Sequence, residues 1–183
     1  MPNVAELSDG VVELRPPASA DVDALFGAVS ESMAEIMPWM NWCQPGYSRA
    51  DTAEWVRTCE RAWADETEFP FAIFEPGSSL PLGTCGINGI DRVNRWANLG
   101  YWIRTTATRR GVATRAATLV ADFAFTQLEL ERVEILAATG NTASQGVATR
   151  VGATREGVLR RRLRTHDKSQ DAVVFSLIRA ERR

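Results

Sequence analysis

Apolar positions along this chain change period several times, and each change marks an element boundary. Leu99, Tyr101 and Ile103 alternate with Gly100, Trp102 and Arg104, the two-residue period of a sheet strand. The period then lengthens. Val112, Ala116, Leu119, Val120 and Phe123 recur at three- and four-residue steps, an apolar stripe suited to packing on a sheet. The pattern therefore predicts a strand, a short Thr/Arg turn, and a helix that starts near Arg110 or Gly111.

The same reading extends in both directions. Val11 to Arg15 is a first strand, Ala20 to Ser32 a helix burying Val22, Leu25 and Val29, and Asp51 to Trp63 a second helix. Phe69 to Phe74 and Leu82 to Gly89 form a hairpin closed by Pro76, Gly77, Ser78 and Ser79. After the central helix, Arg132 to Ala138 is a buried strand and Ala143 to Val151 a short helix. Gly157 to Arg164 and Val173 to Ile178 are closing strands. The predicted order is β-α-α-β-β-β-α-β-α-β-β, uninterrupted by repeats, which predicts an α/β (α+β) fold in one domain spanning residues 1–183.

Between the first two helices, residues 37–47 read MPWMNWCQPGY, an aromatic loop carrying Trp39, Trp42 and Tyr47 among Pro38, Pro45 and Gly46. Rings with polar tips line many substrate clefts, and they also serve core packing or dimer contacts.

The helix start carries the first chemistry. Its leading N–H groups have no partner within the helix and sit at the positive end of the macrodipole, so they can hold a phosphate or pyrophosphate. Gly111 and Ala113 leave the approach open, and Arg109, Arg110 and Arg115 add full positive charge in forks that match phosphate oxygens. An ordinary basic helix start would read the same way. Neither a Walker A loop nor GxGxxG is present.

Composition narrows the classes. Cys43, Cys59 and Cys85 lack ligand spacing, and the single histidine is His166, so a zinc site, a Cys–His pair and a Ser–His–Asp triad find no support. No metal is expected. No apolar run approaches the roughly 18 residues of a membrane span, and the N-terminus is polar. The reading is of a reduced, cytoplasmic protein, monomer or homodimer, without membrane or nucleic-acid partners.

Charge adds a division. The net charge is −2, yet residues 1–90 hold 4 Lys+Arg against 14 Asp+Glu, and residues 91–183 hold 17 against 9. The second half suits a polyphosphate ligand, and the first suits a cationic partner such as an amine.

TRRGVATRA at 108–116, preceded by LGYWI and followed by ERVEI and NTASQGVATRVGATREGVLR, resembles the GNAT superfamily of acyl-CoA N-acyltransferases, in particular the ribosomal-protein N-terminal acetyltransferases. The resemblance runs from about Leu14 to Ile178 and includes ELRP and the PW-rich loop. It implies a mixed, mostly antiparallel central sheet flanked by helices, with acetyl-CoA as co-substrate and an amine-bearing acceptor. By this resemblance Arg109, Arg110, Gly111, Val112, Ala113 and Thr114 bind the pyrophosphate of coenzyme A. Backbone groups of Trp102, Ile103 and Arg104 pair with pantetheine, Asn141 hydrogen-bonds it, and Ser144 lies near the thioester sulfur.

Departures from the family pattern are informative. Thr108 replaces the usual Gln or Arg three positions before the glycine, and Ala148 stands where many members place a tyrosine acid. Ser144, three residues beyond Asn141, is the acid of the ribosomal-protein-like branch. Its other reading is a polar residue in a helix's first turn. The glutamate often found two residues before the Gly-Tyr is here Asn98, a substrate contact at most. Glu134 on the neighbouring strand and Glu35 before the aromatic loop remain as candidate bases, against a salt-bridged strand residue and a solvated charge. With Trp39 and Trp42, Glu35 is also a candidate acceptor contact.

The missing base bears on the acceptor. An α-amine of pKa ~8 costs about 1 to 1.4 kcal/mol to deprotonate at pH 7, against roughly 4.6 kcal/mol for lysine. A site working through water suits the α-amine of a protein or peptide. A small amine such as an antibiotic or polyamine, another donor such as succinyl-CoA, and a non-catalytic CoA-binding module are the alternatives.

Overall fold

A computed structural model describes residues 6–181, so the start of the polar N-terminal stretch lies outside the described residues. The strands are β1 (Leu7–Ser8), β2 (Glu13–Arg15), β3 (Phe69–Phe74), β4 (Pro81–Asp91), β5 (Trp96–Ile103), β6 (Arg132–Ala138), β7 (Thr154–Thr165) and β8 (Lys168–Ile178). The helices are α1 (Val22–Ile36), α2 (Arg49–Ala64), α3 (Val112–Thr126) and α4 (Thr142–Arg150). All eight strands join one sheet in the order β1-β2-β3-β4-β5-β6-β8-β7.

Alternation assigns the two faces. Phe69, Phe71 and Ile73 join Ala116, Val120 and Phe123 of α3 and Ala148 of α4, whereas Ala72 and Phe74 meet Val22, Leu25 and Val56 from α1 and α2. Trp63 bridges toward the first of these cores, its ring 4.7 Å from Phe69 and 5.1 Å from Phe71 in edge-on contacts. Its Nε1–H donates to the Pro70 carbonyl at 2.8 Å, satisfying the indole.

Several boundaries differ from the periodicity. Val11 and Val12 are not in β2, because their N–H groups donate to the Asp9 side chain, both at 2.9 Å. The last two strands extend to a hairpin tip through polar residues, with Arg164 paired to Ser169 and Thr165 to Lys168. Ladder hydrogen bonds carry a strand past its apolar stretch.

One pairing sets the shape of the candidate site. β5 and β6 are parallel neighbours, the other pairs being antiparallel, and they pair only at Trp96/Arg132, Ala97/Val133 and Asn98/Glu134. Beyond that point β5 continues to Ile103 and β6 to Ala138 without each other, so the sheet opens as a fork.

Candidate functional site

The fork runs from an apex at Asn98/Glu134 to the start of α3. Arg104 N–H donates to the Leu82 carbonyl at 2.8 Å, on the β4 side. Backbone groups alternate along a strand, so Trp102 and Gly100 also turn toward β4, and Ile103 and Tyr101 turn theirs into the fork. An extended ligand can pair there as a missing strand would.

At its open end the chain bends sharply. Arg109 and Gly111 both take left-handed conformations, with φ of 62° and 80°, and Gly111 begins α3 without a side-chain cap. The helix dipole and the leading N–H groups are thus available to an anion. Arg110 pairs with Glu75 and Arg115 with Asp9 at 2.7 Å. Arg109 is exposed and makes no side-chain hydrogen bond or ion pair among the described residues. Thr108 is turned back on its own loop, its Oγ1 donating to the Thr105 carbonyl at 2.8 Å.

The turn is held from α1. Glu31 accepts from Arg104 Nε at 2.7 Å and from Thr106 Oγ1 at 2.8 Å, and Ser32 Oγ accepts from Thr105 N–H at 3.0 Å. Hydrogen bonds from Arg104 and Thr106 hold the Glu31 carboxyl at about 2, below its ordinary 4.5. Glu35 belongs to the same set, accepting from Thr105 Oγ1 at 3.1 Å.

Across the fork, Asn141 caps α4 by accepting from Ser144 N–H at 3.0 Å. Tyr101 reaches over from β5, its hydroxyl 3.1 Å from Ser144 Oγ and donating to the Ser144 carbonyl at 3.0 Å. Burial pushes the phenol up to about 12, so it remains protonated. Ala148 is fully buried in the core and offers no proton donor.

The opposite face carries polar groups around the apex. Asn98 Nδ2 donates to Asn88 Oδ1 at 3.0 Å beside Gly100, leaving the Asn98 carbonyl oxygen and the Asn88 amide free to meet a ligand. Glu134 is paired with Arg132 at 2.8 Å, and Arg132 also holds Glu156, which accepts from Ser176 Oγ at 2.7 Å. The aromatic loop lies over the open end of the fork instead. Trp39 lies over Gly140, beside Asn141, with room for no more than a methyl group in van der Waals contact. Trp42 stands 5.5 Å from Tyr47 and 6.1 Å from Trp102, on the wall of a cavity of about 470 Å3 that also includes Trp55 and Thr84.

Residues 12–154 match the family described as acetyltransferase (GNAT) domain. The chain belongs to the GNAT acetyltransferase family. YdaF of Bacillus subtilis (strain 168), provisionally named a ribosomal N-acetyltransferase, is 31% identical over 88% of this chain and 87% of its own. The ribosomal-protein-serine acetyltransferase of Escherichia coli (strain K12) is 25% identical over 91% of this chain and 92% of its own. Mycobacterium smegmatis RimJ, solved in complex with CoA-disulfide, is 29% identical with a TM-score of 0.84, covering 98% of this chain and 89% of that one. The first two of these relatives are named for ribosomal acetylation.

Within this GNAT chain the structure gathers some candidate residues and separates others. Arg109 to Thr114, Ile103, Asn141 and Ser144 border the fork, and Arg104 is tied into the turn by Glu31. Glu134 and Glu35 lie at opposite ends of β5, roughly 20 Å apart along the strand. Three further residues join the site. Tyr101 had no signal beyond its place in the alternating row, and Asn88 is found only through its register opposite Asn98. Arg150, whose Nε lies 3.5 Å from Thr114 Oγ1, had no signal beyond being a base at the end of α4.

Proposed function

We propose that this enzyme transfers an acetyl group from acetyl-CoA to the α-amine of a polypeptide. The observation that carries the reading is the fork, whose unpaired β5 edge leads from the Tyr101–Ser144 contact to the uncapped start of α3. A long, flexible ligand with a phosphate end and an amide-bearing arm fits that track. The solved relative holds CoA-disulfide, which supports the assignment.

Acetyl-CoA, when bound, supplies the thioester carbonyl that the amine attacks and the thiolate that leaves. The α3 N–H groups and Arg109 hold the phosphates, with Arg150 close to Thr114 as a further cation. Backbone N–H and C=O groups of Tyr101 and Ile103 pair with the amide arm and fix the carbonyl, supplying proximity. Asn98 and Asn88 orient the incoming amine at the apex. The Ser144 hydroxyl, which donates to the Tyr101 oxygen at rest, turns its proton to the sulfur as the thiolate leaves and regains one from the water that takes the amine's proton, and Tyr101 holds that hydroxyl in place. Glu134 is engaged by Arg132, so the amine releases its proton to water, which favours an acceptor of low pKa. The relatives named for ribosomal proteins agree with a polypeptide acceptor, and a cytoplasmic location suits it.

The test is release of free CoA from acetyl-CoA with three acceptors: peptides with a free α-amine, the same peptides blocked at the N-terminus but carrying lysine, and polyamines. The reading requires the first group to react fastest at neutral pH. Faster acylation of lysines or polyamines would overturn it, and tight CoA binding without turnover on any amine would leave only a binding module.

A further inference from the structure

The edge strand β7 carries a charged feature that the transfer chemistry does not use. Between Leu159 and Leu163 it advances four residues, while its partner β8 advances only two, from Ala172 to Gln170. The surplus makes a bulge. Arg161 takes a left-handed conformation at φ 51°, and its N–H donates to Asp171 Oδ1 at 2.8 Å. A regular strand would send Arg160, Arg161 and Arg162 alternately to opposite faces. Here that alternation is broken across three consecutive, exposed arginines. None of the three guanidinium groups makes a hydrogen bond or ion pair among the described residues. Protecting the sheet edge does not require them, because the bulge alone interrupts strand pairing.

Both ends of the arm touch the acceptor side. At its base, Glu156 shares Arg132 with Glu134 of the fork apex. At its tip, His166 and Asp167 form a left-handed two-residue turn. There His166 N–H donates to Asn41 Oδ1 at 3.0 Å, and its Nε2 lies 2.9 Å from the Met37 carbonyl oxygen of the aromatic loop. The arginines therefore stand on β7 between the level of the apex and the point where the hairpin tip meets the aromatic loop.

We propose that the Arg160–Arg162 bulge docks an acidic segment of the acceptor polypeptide, a few residues beyond the amino group that enters the fork. This rests on the reading of a polypeptide acceptor. Three unpaired guanidinium groups recognise carboxylates through paired N–H forks. An acidic peptide is favoured over RNA because the three unpaired guanidinium groups are confined to one bulge of an edge strand, a match for a few carboxylates rather than a track for a phosphate backbone.

The experiment measures binding apart from turnover. Fluorescent peptides blocked at the N-terminus, identical in their first four residues and then acidic or uncharged, are titrated with the full-length protein. The acidic peptide should bind roughly tenfold more tightly than the uncharged one, with the gap closing at high salt. R160S/R161N/R162S should abolish that preference and R160K/R161K/R162K should keep most of it, while both retain wild-type turnover of a short uncharged acceptor. Equal binding of the two peptides by the wild-type protein would overturn the proposal. So would tighter, arginine-dependent binding of polyuridylate. If no free N-terminus is acetylated, the polypeptide-acceptor reading fails separately, and the peptide preference still judges the bulge.

Discussion

Gly83 joins the fold to the site more tightly than any other glycine in the chain. Its φ is +147°, and a Cβ built there would lie 2.2 Å from the Trp102 carbonyl oxygen and 2.9 Å from Ile103 Cα, both backbone. Ordinary contact begins near 3.4 Å, so Gly83→Ala must push β4 and β5 apart by about 1.2 Å at the Gly83/Ile103 pair. An L residue at such a φ costs about 1–3 kcal/mol. Overpacking a closed ladder adds about 1–3 kcal/mol. For a chain of this size the sum lowers Tm by roughly 5–20 °C. The same displacement moves Ile103, whose backbone faces the fork, so affinity for CoA should fall with stability. Gly77→Ala is the control. Gly77 also has positive φ, 74°, but nothing within 4 Å of the added methyl, so it should lose only about 1–2 kcal/mol and keep its CoA affinity. Calorimetric melting and CoA titration of the two variants decide the matter. Equal destabilisation of both, or wild-type CoA affinity in Gly83→Ala, would refute the steric argument.

Other expectations are briefer. Ser144→Ala should lower kcat by about 10²-fold with little change in CoA affinity, whereas Tyr101→Phe, which only loosens the Ser144 hydroxyl, should lower it several-fold; steady-state kinetics checks both. With an α-amine acceptor and no protein base, kcat/KM should rise tenfold per pH unit up to about pH 8 and then level; a plateau starting below pH 7 would restore a carboxylate base. The Glu31 carboxyl, held at about 2 against an ordinary 4.5, protonates more readily in the unfolded chain. Its stabilisation is therefore fully present above pH 4.5 and is lost as pH falls toward 2, so the urea midpoints of wild type and Glu31→Gln should converge over that range. Cys43, Cys59 and Cys85 are buried, and burial pushes the Cys59 thiol up to about 12 and that of Cys85 further. A thiol-reactive dye should therefore label them only on unfolding.

The strand, turn and helix around 99–126 were legible because alternation and helical spacing are local properties. The element order followed for the same reason, apart from the two-residue β1 (Leu7–Ser8), too short to show a period. The fork was not legible, since it depends on β5 and β6 parting after three register pairs, which neither strand records alone. Tyr101 reads as one more ring in an apolar row until α4 brings Ser144 to its hydroxyl. Glu35 and Glu134 carry the right functional group, but sequence does not reveal that β5 separates them or that each already serves a neighbour. Arg161 was one arginine among twenty until its backbone showed a left-handed turn.

The aromatic loop rests on both sides of the fork, through Trp39 on Gly140 and through Trp42 beside Trp102. Such a loop makes the two ligand sites thermodynamically linked. Whatever factor the occupied cofactor track contributes to acceptor affinity by shifting that loop, the acceptor must return equally to the cofactor. Both affinities then depend on how Trp39 and Trp42 are seated, and an inhibitor lodged under Trp42 would be felt at Asn141 without touching it.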